Sequence, residues 1–374
     1  VLAWALACGA AGADSVAEGD FMAEIPSEPA LPYPVAETEI APGSVHRVAI
    51  AASESFAGAP VSIPVLVLHG PLAGPTLCLT GGVHGDEING VEVVRRAVET
   101  IDVETLRGTV LAVPIVNLHG FRRGSRYLPD RRDLNRYFPG RVTGSSASRI
   151  ARAVFDRLIT RCDHLLDFHT GSFQRANLPH VRGDLRHAGV RALADGLGGW
   201  LVLDHAGSAG TLRRAAGDAG IPALTFEVGG PFRVEPQAVE RGLEGVVATL
   251  AHLGMQGQTQ PGRPEVVDRA RWVRVNEGGL LFTLAELGDR VENGELLGVV
   301  VDPISNQRSN VHAPRDGQVI GMAWSQGVIP GFAAFHLAFS EANGQPADED
   351  ADDAGADLHE PEGIESAEPD DRPE

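Results

Sequence analysis

Four short stretches hold residues whose types suit hydrolytic chemistry. The first, "GGVHGDEING" at residues 81–90, sets His84 and Glu87 three apart among glycines. In a tight turn this spacing can point an imidazole and a carboxylate at one centre, a pairing that suits zinc. The competing reading is a loop in which Asp86 or Glu87 caps a following helix. The second stretch, "LLDFHTG", offers His169 at the end of an apolar run, or else a core histidine. With His84 and Glu87 it completes a His2Glu set, a composition used by catalytic zinc sites. The third, "ALTFEVGG", places Glu227 in an apolar run before a Gly-Gly turn. A buried carboxylate without a partner costs several kcal/mol, so Glu227 needs a salt bridge or a proton-transfer task. The fourth, "GSRYLPDRRDLNRYFPG", lies in an arginine-rich region with Arg122, Arg123, Arg126, Arg131, Arg132, Arg136 and Arg141. It reads either as a solvated basic loop or as arginine forks for a carboxylate-bearing substrate. Asn135 adds a neutral donor and acceptor.

These residues need a scaffold. From about Val61 to Leu253, apolar strand-like runs alternate with amphipathic helix-like runs. "VSIPVLVLHG", "PTLCLTGG", "GTVLAVPIVN", "HLLDFH", "GWLVLD" and "PALTFEVGG" read as strands. "NGVEVVRRAVETI" reads as a helix with Val91, Val94, Val98 and Ile101 on one face, and "SASRIARAVFDRLI" as another with Ile150, Val154, Phe155 and Leu158. The alternation predicts a doubly wound α/β sheet with its site beyond the carboxyl ends of the strands. After about Gly262, short β segments with Gly-Asp and Asn-Gly turns replace it. The expected organisation is an N-terminal extension (1–45), a catalytic domain (46–255), a small all-β domain (263–340) and a disordered acidic tail (345–374).

Composition narrows the function further. The 374 residues carry a net charge of −19, and all 31 basic residues are Arg. Without lysine, no Schiff base, P-loop lysine or lipoyl attachment is available. Without a basic excess, no nucleic-acid partner is expected. The tail has 13 Asp/Glu, one Arg and few large apolar side chains, so it buries too little to offset its ordering entropy. Cys8, Cys78 and Cys162 are widely spaced and suggest no disulfide framework, which makes a reducing cytoplasm the default compartment. "VLAWALACGAAGA" resembles a signal-peptide core but lacks a basic flank and is too short to span a bilayer. Export through it is the alternative to a dispensable N-terminus, and no membrane partner is expected.

Taken together and in order, "GGVHGDE", "DLNRYFPG", "DFHTG" and "FEVGG" resemble the succinylglutamate desuccinylase and aspartoacylase family of the zinc carboxypeptidase superfamily. The likeness covers about Val61 to Leu253. It implies a zinc-carboxypeptidase-like mixed sheet, and a trailing β module fits it. Separately, "LGDRVENGELLG" followed by "APRDGQVIG" resembles the barrel-sandwich fold of biotinyl and lipoyl carriers, read here, without a lysine, as an accessory domain packing near the site or at a subunit contact. The family likeness carries further expectations. It implies one zinc ion on His84, Glu87 and His169, with Glu227 as general base and acid. It implies Asn135 and Arg136 as grips for a substrate carboxylate and Arg126 as the group polarising the scissile carbonyl. Arg213 in "GTLRRA" matches a second carboxylate-binding arginine. Asp86 is expected to support the turn or a ligand. The implied activity is deacylation of a small N-acyl amino acid. A zinc carboxypeptidase acting on short peptides and a non-catalytic binding protein are the competing readings. A homo-oligomer is compatible with all three.

Overall fold

The strands follow from runs of β-branched and aliphatic residues, and the order in which they pair sets the site. The computed structural model describes residues 28–54, 60–258 and 262–340. The apolar N-terminal stretch, Cys8 and the acidic tail lie outside the described residues. The chain forms β1 (Tyr33–Val35), β2 (Thr38–Ile40), β3 (Ser44–Glu54), β4 (Pro60–His69), β5 (Leu72–Gly81), α1 (Ile88–Thr100), β6 (Arg107–Val113), α2 (Leu118–Arg123), α3 (Ser146–Arg157), β7 (His164–His169), β8 (Arg175–Gly183), α4 (Ala188–Asp195), β9 (Leu201–Asp204), α5 (Leu212–Asp218), β10 (Ala223–Gly229) and α6 (Pro236–His252). It continues through β11 (Glu265–Val267), β12 (Arg269–Arg274), β13 (Gly279–Thr283), β14 (Arg290–Val291), β15 (Leu296–Val301), β16 (Arg308–His312), β17 (Gly317–Ala323), β18 (Gly327–Val328) and β19 (Ala333–Phe339).

Strands β6, β5, β7 and β10 lie side by side and parallel. Antiparallel neighbours flank them: β4 and then β3 beyond β6, and β8 beyond β10. Successive residues of a strand face opposite sides, and the core divides accordingly. Leu77 and Leu79 of β5 pack with α1, α4 and α6, while Cys78 between them packs with α3 and α5. The sheet is therefore mixed, with helices on both faces. The expected stripe of α3 is buried as read: Ile150, Val154, Phe155 and Leu158. In α1 the buried stripe is turned by part of a turn. Val93, Val94 and Ala97 are buried, whereas Val91 and Val98 are half-buried.

The C-terminal residues are not set apart from this sheet. Strand β17 pairs with β8 through Gly321↔Asn177, and β19 and β12 continue outward from it. A second sheet, β16-β15-β13-β18, covers them. Val273, Leu281, Leu297, Val300, Phe335 and Leu337 fill the sandwich between the two. Among the described residues, no helix is long and apolar enough to cross a membrane.

The cysteines depart from expectation. Cys78 on β5 and Cys162, just before β7, form a disulfide across 84 residues with Cα atoms 5.7 Å apart. The parallel register of β5 with β7, Cys78↔Leu165, brings the two together. Spacing along the chain gives no hint of this. A disulfide removes the basis for choosing a reducing compartment by default.

Candidate active site

The donors His84, Glu87 and His169 stand at the carboxyl ends of neighbouring parallel strands. The turn after β5 is held down from outside: Val116 N–H donates to Gly81 O and Asn117 N–H to Gly82 O, at 3.0 and 2.8 Å. Gly85 packs so closely on α2 that a Cβ there would lie 1.9 Å from the Gly120 carbonyl carbon. Only glycine permits that approach, and it brings Arg126, just beyond α2, up to the turn. Glu87 occupies the N-cap of α1 but makes no side-chain cap, so the capping reading does not describe it. Its carboxylate turns to the histidines instead. His84 Nδ1 is 2.7 Å from Glu87 Oε1, and His169 Nδ1 is 2.8 Å from Glu87 Oε2. The two Nδ1 atoms are 3.2 Å apart. One ligand atom from each residue lies within 4.8 Å of the others, and all three residues are buried.

The far nitrogens of both rings are also bound. His84 Nε2 donates to Asp133 Oδ1 at 3.1 Å, and His169 Nε2 to Asp167 Oδ2 at 2.9 Å. Thr80 Oγ1 donates to the other oxygen of Asp167 at 2.7 Å. A carboxylate behind each imidazole fixes the tautomer that presents Nδ1 to a metal. Burial disfavours charge on His169, but Asp167 and Glu87 outweigh it and hold its pKa well above the usual histidine value. Burial likewise opposes the charge on Glu87, yet His84 and His169 keep it below the usual carboxylate range. The cluster thus holds an anion and two basic nitrogens ready to exchange protons for a dication. Two nitrogens and a carboxylate in this arrangement fit a metal ion.

Arg126 stands beside the donors. Nη1 is 3.2 Å from Glu87 Oε1 and 3.1 Å from His84 Nδ1, and donates to Ser172 Oγ at 2.6 Å. Nε and Nη2 both donate to Asp133 Oδ2, at 3.1 and 2.8 Å. Burial works against this buried guanidinium, but Asp133 and Glu87 raise its pKa overall. Asp86 is not one of the three clustered residues. Its Oδ1 is buried without a hydrogen-bond partner, and burial together with Glu87 pushes its carboxyl up to about 6. Its backbone carbonyl, however, accepts from Phe232 N–H at 2.9 Å.

The cavity in front of these groups has a volume of about 140 Å³ and is lined by His84, Glu87, His169, Glu227, Arg126, Asn135, Arg136 and Arg213, so each residue given a role at the metal, the reacting bond or the substrate reaches it, while Asp86 does not. Of the seven loop arginines, only Arg126 and Arg136 do. Asn135 is narrower in use than expected. Its Oδ1 accepts from Leu212 N–H of α5 at 2.8 Å, leaving its NH2 as the donor for a ligand. Arg136 Nη1 donates to Asn135 O at 3.0 Å. Arg213 donates to His205 O, and burial with the nearby Arg182 pushes its pKa down to about 10. Glu227 lies opposite His169 in the β10/β7 register. Asn177 Nδ2 donates to its Oε2 at 2.8 Å, and Arg182 Nε stands 3.5 Å from Oε1.

Sequence reasoning did not single out Asp133, Asp167, Ser172, Arg175, Asn177, Arg182 or Trp272. Asp167 is two residues before His169 on a strand, which puts both on one face, and that signal was available. Arg175 and Trp272 bring the C-terminal strands into the site. Trp272 and Ala333 line the cavity. Arg175 Nε donates to Ala333 O at 2.8 Å, and its guanidinium lies over Phe332 and Trp272, 4.4 and 5.4 Å from the ring centres.

The chain is similar to several known proteins. Residues 73–253 match the succinylglutamate desuccinylase/aspartoacylase catalytic domain. An N-alpha-acetyl-L-2,4-diaminobutyric acid deacetylase from Halomonas elongata is 31% identical over 287 residues, covering 72% of this chain and 83% of the relative. The product-bound ectoine utilization protein EutE (DoeB) from Ruegeria pomeroyi is similar in structure, with a TM-score of 0.71 and 27% identity over 79% of this chain and 95% of that one. A succinylglutamate desuccinylase/aspartoacylase from Rhodobacter sphaeroides has a TM-score of 0.69, 27% identity and the same coverage.

Proposed function

Because the chain belongs to the succinylglutamate desuccinylase/aspartoacylase family, we propose that it is a zinc-dependent deacylase of small N-acyl amino acids. The observation that carries the reading is the convergence of His84, Glu87 and His169 within 4.8 Å, with Glu227 in register beside His169. His84, Glu87 and His169 would hold the zinc, which when bound supplies a Lewis acid and lowers the pKa of water. Glu227 takes the proton of the attacking water and delivers it to the leaving nitrogen. Arg126, anchored by two bonds to Asp133, polarises the scissile carbonyl and carries the charge that develops on its oxygen. Arg136 and the Asn135 NH2 grip the substrate carboxylate, and Arg213 offers a second cationic contact. Products are a carboxylate and a free amine.

The cavity volume of about 140 Å³ is below the roughly 300–1,000 Å³ typical of drug-sized ligand sites. That supports a small acyl amino acid over a peptide. The test is amine release from a panel: N-acetyl and N-succinyl amino acids, N-alpha-acetyl-L-2,4-diaminobutyric acid, and short peptides. Turnover of acyl amino acids that stops with a chelator and returns with zinc is expected. Faster cleavage of peptides would move the assignment to a carboxypeptidase. Turnover unaffected by chelation would remove the metal from the reaction.

A further inference from the structure

Strand β8 supplies three of the side chains around Glu227, and a fault in its pairing makes this happen. In the antiparallel register with β10, Glu227 pairs with His180, but Gly229 pairs with Asn177. Two residues on β10 are thus matched by three on β8, a bulge across Leu178 and Pro179. Proline lacks the N–H a sheet needs, and a bulge is one place where a strand tolerates it. The extra residue returns Asn177 to the face that carries His180 and Arg182. On the other edge, β17 places Gly321 opposite Asn177, and a Cβ at that glycine would lie 2.9 Å from Asn177 Oδ1.

The hydrogen bonds give each of these residues a defined role. His180 is fully buried, and its Nδ1 is 2.8 Å from Leu178 O. A carbonyl only accepts, so Nδ1 carries the proton and Nε2 is an acceptor. Arg182 Nε donates to that Nε2 at 3.2 Å. The guanidinium is therefore turned toward His180 for its hydrogen bond, and it meets Glu227 Oε1 at 3.5 Å as an ion pair. Oε2 already accepts from Asn177. Burial and Arg182 push the His180 pKa down to about 3, consistent with the neutral ring this bond requires.

We propose that β8 positions the general base: Asn177 fixes Oε2 of Glu227, and His180 holds Arg182 beside Oε1 as a steadying charge, leaving Oε1 to carry the proton. The proposal rests on the assignment of Glu227 as general base. In the forward step, an O–H bond of water breaks as a new one forms at Oε1, and the same proton later passes to the leaving nitrogen. Asn177 and Arg182 also line the cavity, but in this scheme they and His180 act through Glu227 and are positioning residues.

The experiment uses the full chain loaded with zinc and the best substrate of the acyl amino acid panel. Arg182→Ala is expected to lower kcat roughly 10- to 100-fold, the scale of a misplaced catalytic group, with KM within about threefold and zinc content unchanged. Millimolar guanidinium should recover activity several-fold in Arg182→Ala, whereas sodium should not. His180→Leu should lower kcat about tenfold. His180→Gln should restore it, because an amide can both accept from Arg182 and donate to Leu178 O. A raised KM with unchanged kcat in Arg182→Ala would make that residue a substrate grip and overturn the proposal, as would wild-type kcat. If no panel member is turned over, the functional reading fails, and crystal structures decide the positioning separately. Glu227 should leave its rotamer in Arg182→Ala and His180→Leu and keep it in His180→Gln. An unmoved Glu227 in both of the first two refutes its positioning by β8.

Discussion

Asp133 is the place where a single change should disturb two functions at once. Its Oδ1 accepts from His84 Nε2 at 3.1 Å, and its Oδ2 takes two bonds from Arg126 at 2.8 and 3.1 Å. Asp167 backs only a histidine, with Thr80 on its other oxygen. Removing a carboxylate behind a metal-binding histidine costs about 10- to 100-fold in metal affinity, or roughly 1.4–2.8 kcal/mol at 1.4 kcal/mol per tenfold. Asp133→Ala and Asp167→Ala should therefore weaken zinc binding by similar amounts, measured by competition with a chromophoric chelator. The two variants should separate when zinc is saturating. Asp167→Ala should then recover kcat to within about threefold once its metal-affinity loss is overcome. Asp133→Ala should stay depressed by about 10²-fold, because a loosened Arg126 no longer serves the developing oxyanion. Full recovery of Asp133→Ala at saturating zinc would refute the coupling of Arg126 to catalysis. Unchanged zinc affinity in both variants would refute the supporting role of the carboxylates.

Four other outcomes are expected. Glu227→Gln should keep its zinc and lose turnover by roughly 10²–10⁴-fold, the usual worth of a general base; near-normal kcat sinks that role. His84→Ala should copurify with much less than one zinc per chain by elemental analysis, and full occupancy would reject it as a ligand. Arg136→Ala should raise KM for acyl amino acids roughly 10- to 100-fold, as expected for a lost charge-assisted hydrogen bond, with kcat little changed; an unchanged KM removes it from the site. Thiol titration of the denatured, unreduced chain should find neither Cys78 nor Cys162, and reduction should lower the thermal midpoint. A loop of this length corresponds to about 4.5 kcal/mol of denatured-state entropy, so an unchanged midpoint under reductant would count against the crosslink.

The parts of the site that were legible share one property: their signal is local. His84, Glu87, His169 and Glu227 each sit where an apolar strand meets a glycine turn, and the strand-end rule needs only neighbouring residues. The four strands that carry the centre were readable for the same reason. Strand β8 was not, because "RANLPHVRG" mixes polar residues with a proline and resembles a loop. Its strand character depends on β10 and β17, and on a bulge that excuses Pro179. Asp133 stood inside the quoted "DLNR", but nothing in spacing connects it to His84, 49 residues earlier. The Cys78–Cys162 bond follows from the register of β5 on β7, which is a tertiary fact. In α1, both Val91 and Val93 fit a helical stripe, and packing against α6 and the sheet chose Val93.

The pairing of β17 with β8 also means that the cavity is completed by residues from the last part of the chain. A ribosome that has released residues up to the end of α6 has delivered every proposed metal ligand and Glu227, the proposed base. Gly321, Trp272 and Ala333 are still unmade, so the outer edge of β8 near Asn177 lacks its partner and the cavity lacks a wall. Contacts spanning more than 140 residues, such as Asn177 with Gly321, close late because long loops cost entropy before they return contacts. At that stage the proposed donors, Glu227 and its β8 partners are all present, and what is missing is the outer neighbour of β8 and one wall of the cavity.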